Sequence, residues 1–489
     1  MGEAAEEKRA RRGEIALWMG AALVVRLVFL ALSPRALDSA DSIRYLEVAK
    51  LLREGSIFDF DTRIPLLYPT LTALANLVIP DLEWAAIGVS LGASVLLIWP
   101  VIRLSDSMHG RSTARIAALS VCLWPWLVDY GCRVAPEALM SVLWFGALWA
   151  LAQTVRRGGF WPYVAAFLCL GLHLTRPEGM LLWAAAPFVA LILREPKRDA
   201  RALRLIPFVV TSVVLLGAYA LYMRLVTGAA IVSSRAGTAS LRFALVDQGA
   251  ATARAFLALF GEVLPVMLGP LLLAFAGAGL FMASERKRDL RLELMILAFA
   301  AAQFVLAGLS TFAEPRYVMN VAIALTLWSA RGIALTGARA SALPRGAWLR
   351  RVPAAVLIAM FSFGLAVNIV PPLLGRMSYQ PVEYKIAGAW MKEHLEPGLI
   401  LCRKPQVGFY ADMPTTGPAP NESVVEVIQR ARDAGARYLV VDERYTAQMV
   451  PSLEALLDPA TVPEGLRLLK ADLSPYAEAR IVIYAVLPR

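Results

Sequence analysis

The sequence predicts a polytopic α-helical membrane protein with a smaller α/β domain at its C-terminal end. Three observations carry this: an excess of apolar residues, their division into runs of spanning length, and basic residues confined to alternate connections. Of 489 residues, 58% are hydrophobic and 18% charged, and mean hydropathy is +0.58. A soluble globular chain is about 45–50% apolar and about a quarter charged.

Apolar runs occur near 15–32, 84–104, 114–128, 137–154, 161–175, 178–193, 205–226, 262–283, 293–311, 317–337 and 352–370. They give about eleven spans, although 114–128 and 161–175 are short for a crossing that needs roughly 20 residues. The first run follows a basic stretch but is too long for a signal-peptide core, and no A-x-A site follows it. It reads as an uncleaved span. Lys8, Arg9, Arg11 and Arg12 precede that span. Later alternate loops hold Arg156 and Arg157, then Arg194, Lys197, Arg198, Arg201 and Arg204. Arg286, Lys287, Arg288 and Arg291 fill the next, and Arg339, Arg345, Arg350 and Arg351 the last. With a cytoplasmic N-terminus the pattern puts each basic loop inside and the C-terminus outside. It accounts for much of the formal charge of +11, and leaves no basic stripe interleaved with aromatics for a nucleic acid.

Four cysteines and three histidines show no metal-ligand spacing, so a structural zinc site is not supported. Cys132 and Cys402 fall in predicted external segments, where a disulfide between them is conceivable.

Residues 1–370 are expected to form the transmembrane module, with its first external loop at 33–83, and residues 371–489 the external domain. After Pro371 and Pro372 the composition turns ordinary. LILC (399–402), RYLVV (437–441), LRLLKADL (466–473) and ARIVIYAVL (479–487) read as strands. Segments 382–394, 422–434 and about 445–457 read as helices, so the domain is α/β. It has no P-loop, no G-x-G-x-x-G and no nucleophile elbow, which argues against nucleotide binding.

The first external loop holds Asp38 and Asp41 just beyond an apolar span, then Tyr45, Val48, Ala49 and Leu52 at helical spacing. An Asp at a helix start also caps free N–H groups and suits the dipole, so capping competes with a chemical role for both. The apolar segment 66–79, interrupted by Pro69, reads as a second helix lying in the outer interface; a further external excursion covers about 227–260. Other connections on the same side carry compact charged clusters. These are Asp129, Arg133 and Glu137 in DYGCRVAPEA, Arg176 and Glu178 in LTRPEG, and Glu314, Arg316 and Tyr317 in FAEPRY, with Arg63 ahead of IPLLYP. Arg26 lies within the first span. Charges at membrane depth cost about 2.5–3.5 kcal/mol each on insertion scales, so their collection on one side points to a shared polar cavity. Interfacial arginines beside prolines also arise simply because helices end there, and Glu178 and Glu314 also serve as counter-ions.

A cavity with carboxylates and several arginines, lacking a metal motif or a Ser–His or Cys–His pair, suits transfer from a lipid-linked phosphate donor. Arginine's planar fork matches phosphate, so cations take the place of a general acid at the leaving group while one carboxylate deprotonates the attacking hydroxyl. A neighbouring carboxylate strengthens such a base, as Asp38 and Asp41 could do for one another. A lipid-glycan transporter or flippase is the alternative, but it needs polar residues in the cytoplasmic half-spans, and few are present. A noncatalytic scaffold is a third reading.

The motifs DSIRYLEVAKLL, PLLYPTLTAL, PEAL, LTRPEG and PRY, in this order and closed by an α/β domain, resemble the GT-C superfamily of membrane glycosyltransferases. Within it the likeness is to bacterial relatives of protein O-mannosyltransferases and of the lipid A aminoarabinose and galacturonic acid transferases. The resemblance implies an inverting transferase at the outer face of a bacterial inner membrane, with a polyprenyl-phosphate sugar as donor and a lipid, glycan or protein as acceptor. It implies a catalytic Asp in the first external loop about four residues before a Tyr, a spacing matched by Asp41 and Tyr45, with Asp38 beside them. Ser42 stands where the superfamily usually has a Glu. A second acidic position falls near Asp129 or Glu137, and Glu137 is preferred. Donor phosphate and sugar contacts carry over to Arg316, Tyr317, Arg176, Arg63 and Tyr45. No cofactor and no divalent metal is implied.

Overall fold

The computed structural model describes residues 2–56, 63–185, 203–228, 248–282, 289–310, 313–341, 352–374, 376, 380–471, 473–476 and 479–488. The expected span 178–193 beyond residue 185 lies outside the described residues, and so do Arg235 and Arg242 of the external excursion. The same holds for the basic residues Arg194, Lys197, Arg198, Arg201, Arg286, Lys287, Arg288, Arg345, Arg350 and Arg351. The chain divides into two compact units, one of Met1–Leu27 with Val48–Phe363 and the other of Val28–Glu47 with Gly364–Arg489. The division falls within three helices, α1 (Gly2–Leu32), α2 (Ala40–Arg53) and a late helix, Val352–Leu373.

The first unit continues with α3 (Leu67–Ala75), α4 (Leu82–Leu96), α5 (Ile98–His109), α6 (Arg111–Leu123), α7 (Pro125–Tyr130), α8 (Glu137–Arg157) and α9 (Trp161–Thr175). After these come α10 (Ile206–Thr227), α11 (Gly249–Ala258), α12 (Leu264–Phe281), α13 (Leu290–Leu309), α14 (Pro315–Ser341) and α15 (Val352–Leu373). Among the described residues eight helical stretches are long and apolar enough to cross a membrane, against the about eleven expected from the runs. The run 114–128 is broken by an extended Trp124 before Pro125, giving α6 and α7 in place of one span. α9, of 15 residues, stops ahead of Pro177. The segment 66–79 forms only the nine-residue α3, burying Tyr68, Pro69 and Thr72.

α10 shows why the chain is a multi-pass membrane protein. Val209, Val210, Val213, Val214, Leu221 and Leu225 are all exposed on it, a surface that water would not tolerate and lipid does. α8 and α14 are instead buried almost throughout. α14 packs closely on α12 because Gly279 and Gly332 face each other's helices. A Cβ at either would collide with the backbone of Trp328 or Phe275, the small-residue packing that brings membrane helices together.

The second unit contains the loop before α2, the start of that helix, and a mixed five-stranded sheet ordered β2-β1-β3-β5-β4. Its elements are α16 (Val382–His394), β1 (Ile400–Cys402), α17 (Gln406–Ala411), β2 (Thr415–Thr416), α18 (Val424–Asp433), β3 (Tyr438–Asp442), α19 (Thr446–Met449), β4 (Leu466–Lys470) and β5 (Ile481–Val486). β1 lies parallel to β2 and β3, with Leu401 opposite Leu439, while β5 runs antiparallel to β3 and β4. Strand side chains alternate between faces. Leu401, Leu439, Val441, Val482 and Tyr484 pack with Val427 and Ile428 of α18. Ile400, Cys402, Val440, Ile481 and Ile483 pack with Tyr384 and Met391 of α16. β2 and α17 have no counterpart among the strands and helices read from the sequence. All four cysteines are free thiols, so the conceivable Cys132–Cys402 disulfide is absent. Burial pushes the Cys402 thiol up to about 12, leaving it protonated and inert.

Candidate functional site

In the first unit the sequence-predicted residues Glu137, Arg176, Arg316 and Tyr317 form one cluster. Arg176 follows α9, and the proline after it disfavours continuation of the helix; its backbone is extended at φ −154°, ψ 138°. A single 3-10 turn, Pro177–Gly179, then folds back so tightly that a Cβ on Gly179 would lie 2.5 Å from the backbone nitrogen of His173. This turn aims the guanidinium at the first residue of α8. Arg176 Nη1 donates to Glu137 Oε1 at 2.9 Å, and its Nη2 pairs with Glu178 Oε1 at 3.2 Å. Glu137 is 4% exposed and Arg176 8%. The carboxylate sits in the first turn of α8, where the helix dipole favours negative charge.

Arg316 and Tyr317 stand in the first turn of α14, whose start is set by Pro315. The Arg176 and Arg316 guanidinium carbons lie 5.1 Å and 5.2 Å from the centre of the Tyr317 ring, within cation–π range. Arg316 also pairs with Glu314 at 2.6 Å, with 26% of its side chain exposed, and has Glu137 and Arg176 among its electrostatic neighbours. Behind the cluster runs a buried relay that sequence reasoning missed. Ser141 donates to Asn320 (2.7 Å), Asn320 to Gln303 (3.3 Å), and Gln303 to the Tyr317 carbonyl (3.2 Å). Each is a polar residue inside an apolar run, which is the signal by which it could have been found.

Asp129 and Arg133, also buried, form their own i,i+4 ion pair, with the guanidinium 4.9 Å from the Tyr130 ring. Arg63 is exposed shortly before α3. Tyr68 fastens this side of the bundle. Its hydroxyl donates to the Ala86 carbonyl, shares a hydrogen bond with Ser90 Oγ, and accepts from the Ala135 N–H. Arg26, wholly buried, donates to Ser94 Oγ at 2.6 Å and to the carbonyls of Ala22, Val121 and Cys122. It satisfies the open end of α6 and touches none of the cluster residues named above.

Asp38, Asp41 and Tyr45 belong to the second unit. The capping residue is Ser39, whose Oγ accepts from the Ser42 N–H at 3.2 Å. Asp38 Oδ1 instead accepts from Ser42 Oγ at 3.1 Å. Ser42, in the position of the superfamily's usual Glu, therefore holds Asp38. Asp38 and Asp41 are half-buried, and Tyr45 is buried with Ile43, Leu46, Val48 and Ala49. The loop is pinned at Leu37, whose N–H donates to the Tyr410 hydroxyl at 2.8 Å; Lys385 Nζ lies 5.2 Å from that ring. No sequence signal pairs two residues this far apart. Among the described residues no cluster of three His, Cys, Asp or Glu side chains gathers to hold a metal ion.

The fold matches solved structures along its whole length. It superposes on ArnT from Cupriavidus metallidurans in the apo state with a TM-score of 0.60 and 17% identity, covering 97% of this chain and 98% of that one. The chain shares its fold with this structure. ArnT from Cupriavidus metallidurans bound to undecaprenyl phosphate aligns at a TM-score of 0.59 and 15% identity, covering 97% and 98%. The Archaeoglobus fulgidus oligosaccharyltransferase complex with Zn and sulfate aligns at 0.62 and 13% identity, over 87% of this chain and 68% of that one. Residues 63–223 match the family model for dolichyl-phosphate-mannose-protein mannosyltransferase, a stretch holding Arg63, Glu137 and Arg176. None of the curated proteins matches by sequence.

Proposed function

We propose that this GT-C chain is an inverting glycosyltransferase. It moves a sugar from a polyprenyl phosphate to a lipid, glycan or protein acceptor at the outer face of a bacterial inner membrane. The observation that carries the reading is the pair of guanidiniums flanking Tyr317 beside the buried Glu137. In this reading Asp41, supported by Asp38, takes the proton from the acceptor hydroxyl. That oxygen attacks the anomeric carbon from the face opposite the phosphate. The sugar–phosphate bond breaks, and its electron pair leaves with the polyprenyl phosphate. Arg316 receives that charge first, being the more exposed guanidinium. Arg176, already bridged to Glu137 and Glu178, adds to the field and fixes the ring of Tyr317. Glu137 and Tyr45 shape the sugar site, and Arg63 guides the donor head group. The ArnT bound to undecaprenyl phosphate supports a lipid-linked donor.

The test is donor consumption and product formation by the purified, reconstituted chain. Asp41→Asn is expected to abolish transfer while retaining donor binding. Near-normal turnover in that variant removes the base assignment, and no donor consumption by the wild-type chain under any acceptor removes the enzyme reading.

A further inference from the structure

A second cluster of arginines lies far from this cluster and takes no part in the proposed reaction. Arg11, Glu14, Ile15 and Trp18 share one face of α1 at helical spacing, and they line a cleft with Ile102, Arg103 and Asp106 of α5 and Arg111, Ala114 and Arg115 of α6. The cleft is a shallow surface groove with a cavity volume of about 20 Å³. Two carboxylates face four guanidiniums there, and both carboxylates are taken. Glu14 is gripped by Arg111 at 2.6 Å and Arg115 at 2.6 Å, and Asp106 by Arg11 at 3.0 Å. Arg103 makes no hydrogen bond or ion pair among the described residues; its electrostatic neighbours are the like charges of Arg11, Arg12 and Arg157 and the carboxylate of Asp106, which Arg11 already holds. A half-buried guanidinium with spare donors, in a cleft where four arginines outnumber two carboxylates, is suited to hold an anion.

The surroundings indicate which anion. Ile15, Trp18, Ile102 and Ala114 give the cleft an apolar wall. A cleft basic at its rim and apolar below it, at the end of a spanning helix and beside a tryptophan, matches a lipid phosphate with its acyl chains. Arg157 ends α8 and Glu137 begins it, so the two clusters sit at opposite ends of one helix, about 30 Å apart at 1.5 Å per residue.

We propose that the cleft between α1, α5 and α6 binds the phosphate of an anionic membrane lipid, with Arg103 as its principal ligand. The site stands independently of the glycosyltransferase reading and sits at the opposite end of the bundle from the cluster proposed to serve it. The test uses the full-length protein in detergent, measuring retained phosphatidylglycerol and phosphatidylcholine by native mass spectrometry. The wild type is expected to retain phosphatidylglycerol preferentially. Arg103→Gln should weaken that retention about tenfold or more, the worth of a charge-assisted hydrogen bond, and Arg103→Lys should weaken it less. Arg339→Gln, a basic change elsewhere, should leave it unchanged. Equal retention of both lipids by the wild type overturns the proposal, as does undiminished phosphatidylglycerol in both Arg103 variants. Full displacement by millimolar inorganic phosphate also overturns it, since a free anion would then be the ligand.

Discussion

Arg176→Gln is expected to destabilise the protein more than Glu137→Gln, although the two side chains share one ion pair. Removing one partner of a buried pair costs about 3–5 kcal/mol because the other charge is left uncompensated. After Arg176→Gln the survivor is Glu137, 4% exposed, with Arg316 still among its electrostatic neighbours and relief of about 0.3–2 kcal/mol from the α8 dipole. The net loss is then about 2–4 kcal/mol. After Glu137→Gln the survivor is Arg176, which keeps Glu178 at 3.2 Å, a carboxylate with 28% of its side chain exposed. The new amide oxygen still accepts from Nη1, so the loss is about 1–2 kcal/mol. Equilibrium unfolding of the full-length variants in one detergent measures the difference. Adding Glu178→Gln to Glu137→Gln should raise its cost towards that of Arg176→Gln. If Glu137→Gln proves the more damaging change, the shared bridge is not what holds this turn.

Three further changes probe other joints. Gly179→Ala should cost about 2–3 kcal/mol in the same unfolding assay, because its Cβ meets the backbone of His173 and Leu172 rather than a yielding side chain. Arg26→Met should cost about 2–4 kcal/mol by leaving the Val121 and Cys122 carbonyls buried without a donor; an unchanged melting temperature would mean that water or α6 itself supplies the bonds. Tyr410→Phe removes the acceptor for the Leu37 N–H, so stability should fall by about 1–3 kcal/mol. Transfer should drop with donor affinity unchanged, and a change in donor affinity alone would detach Tyr410 from the loop's positioning.

The helical runs and the strands were legible because each rests on local periodicity. β3 is buried along its whole length and reads as an apolar run from Tyr438 to Val441 closed by Asp442, and Ser423 with Glu426 closes a capping box at the start of α18. The misses have equally local causes. Trp124 with Pro125 splits one apolar run in two, an outcome hydropathy averages away. β2 is two residues long and exists only because β1 offers it an edge. In the cluster, charged residues crowded at helix ends were visible from sequence, and their partners were not. Nothing in LTRPEG says that Arg176 spends both Nη groups on carboxylates, since that depends on α8 arriving beside the turn.

The loop before α2 shows what such partners decide. Sequence alone left two explanations for Asp38 and Asp41, capping or chemistry, and the Ser42 N–H at the start of α2 is served by Ser39. That N–H therefore gives no reason for either carboxylate. Asp41 lies in the first turn of α2, where its charge is worth about 0.3–1 kcal/mol against the dipole. Asp41→Asn should accordingly leave unfolding nearly unmoved, within about 1 kcal/mol of wild type. A loss of transfer in that variant would then report on chemistry, whereas a large loss of stability would show that Asp41 is there to hold the fold.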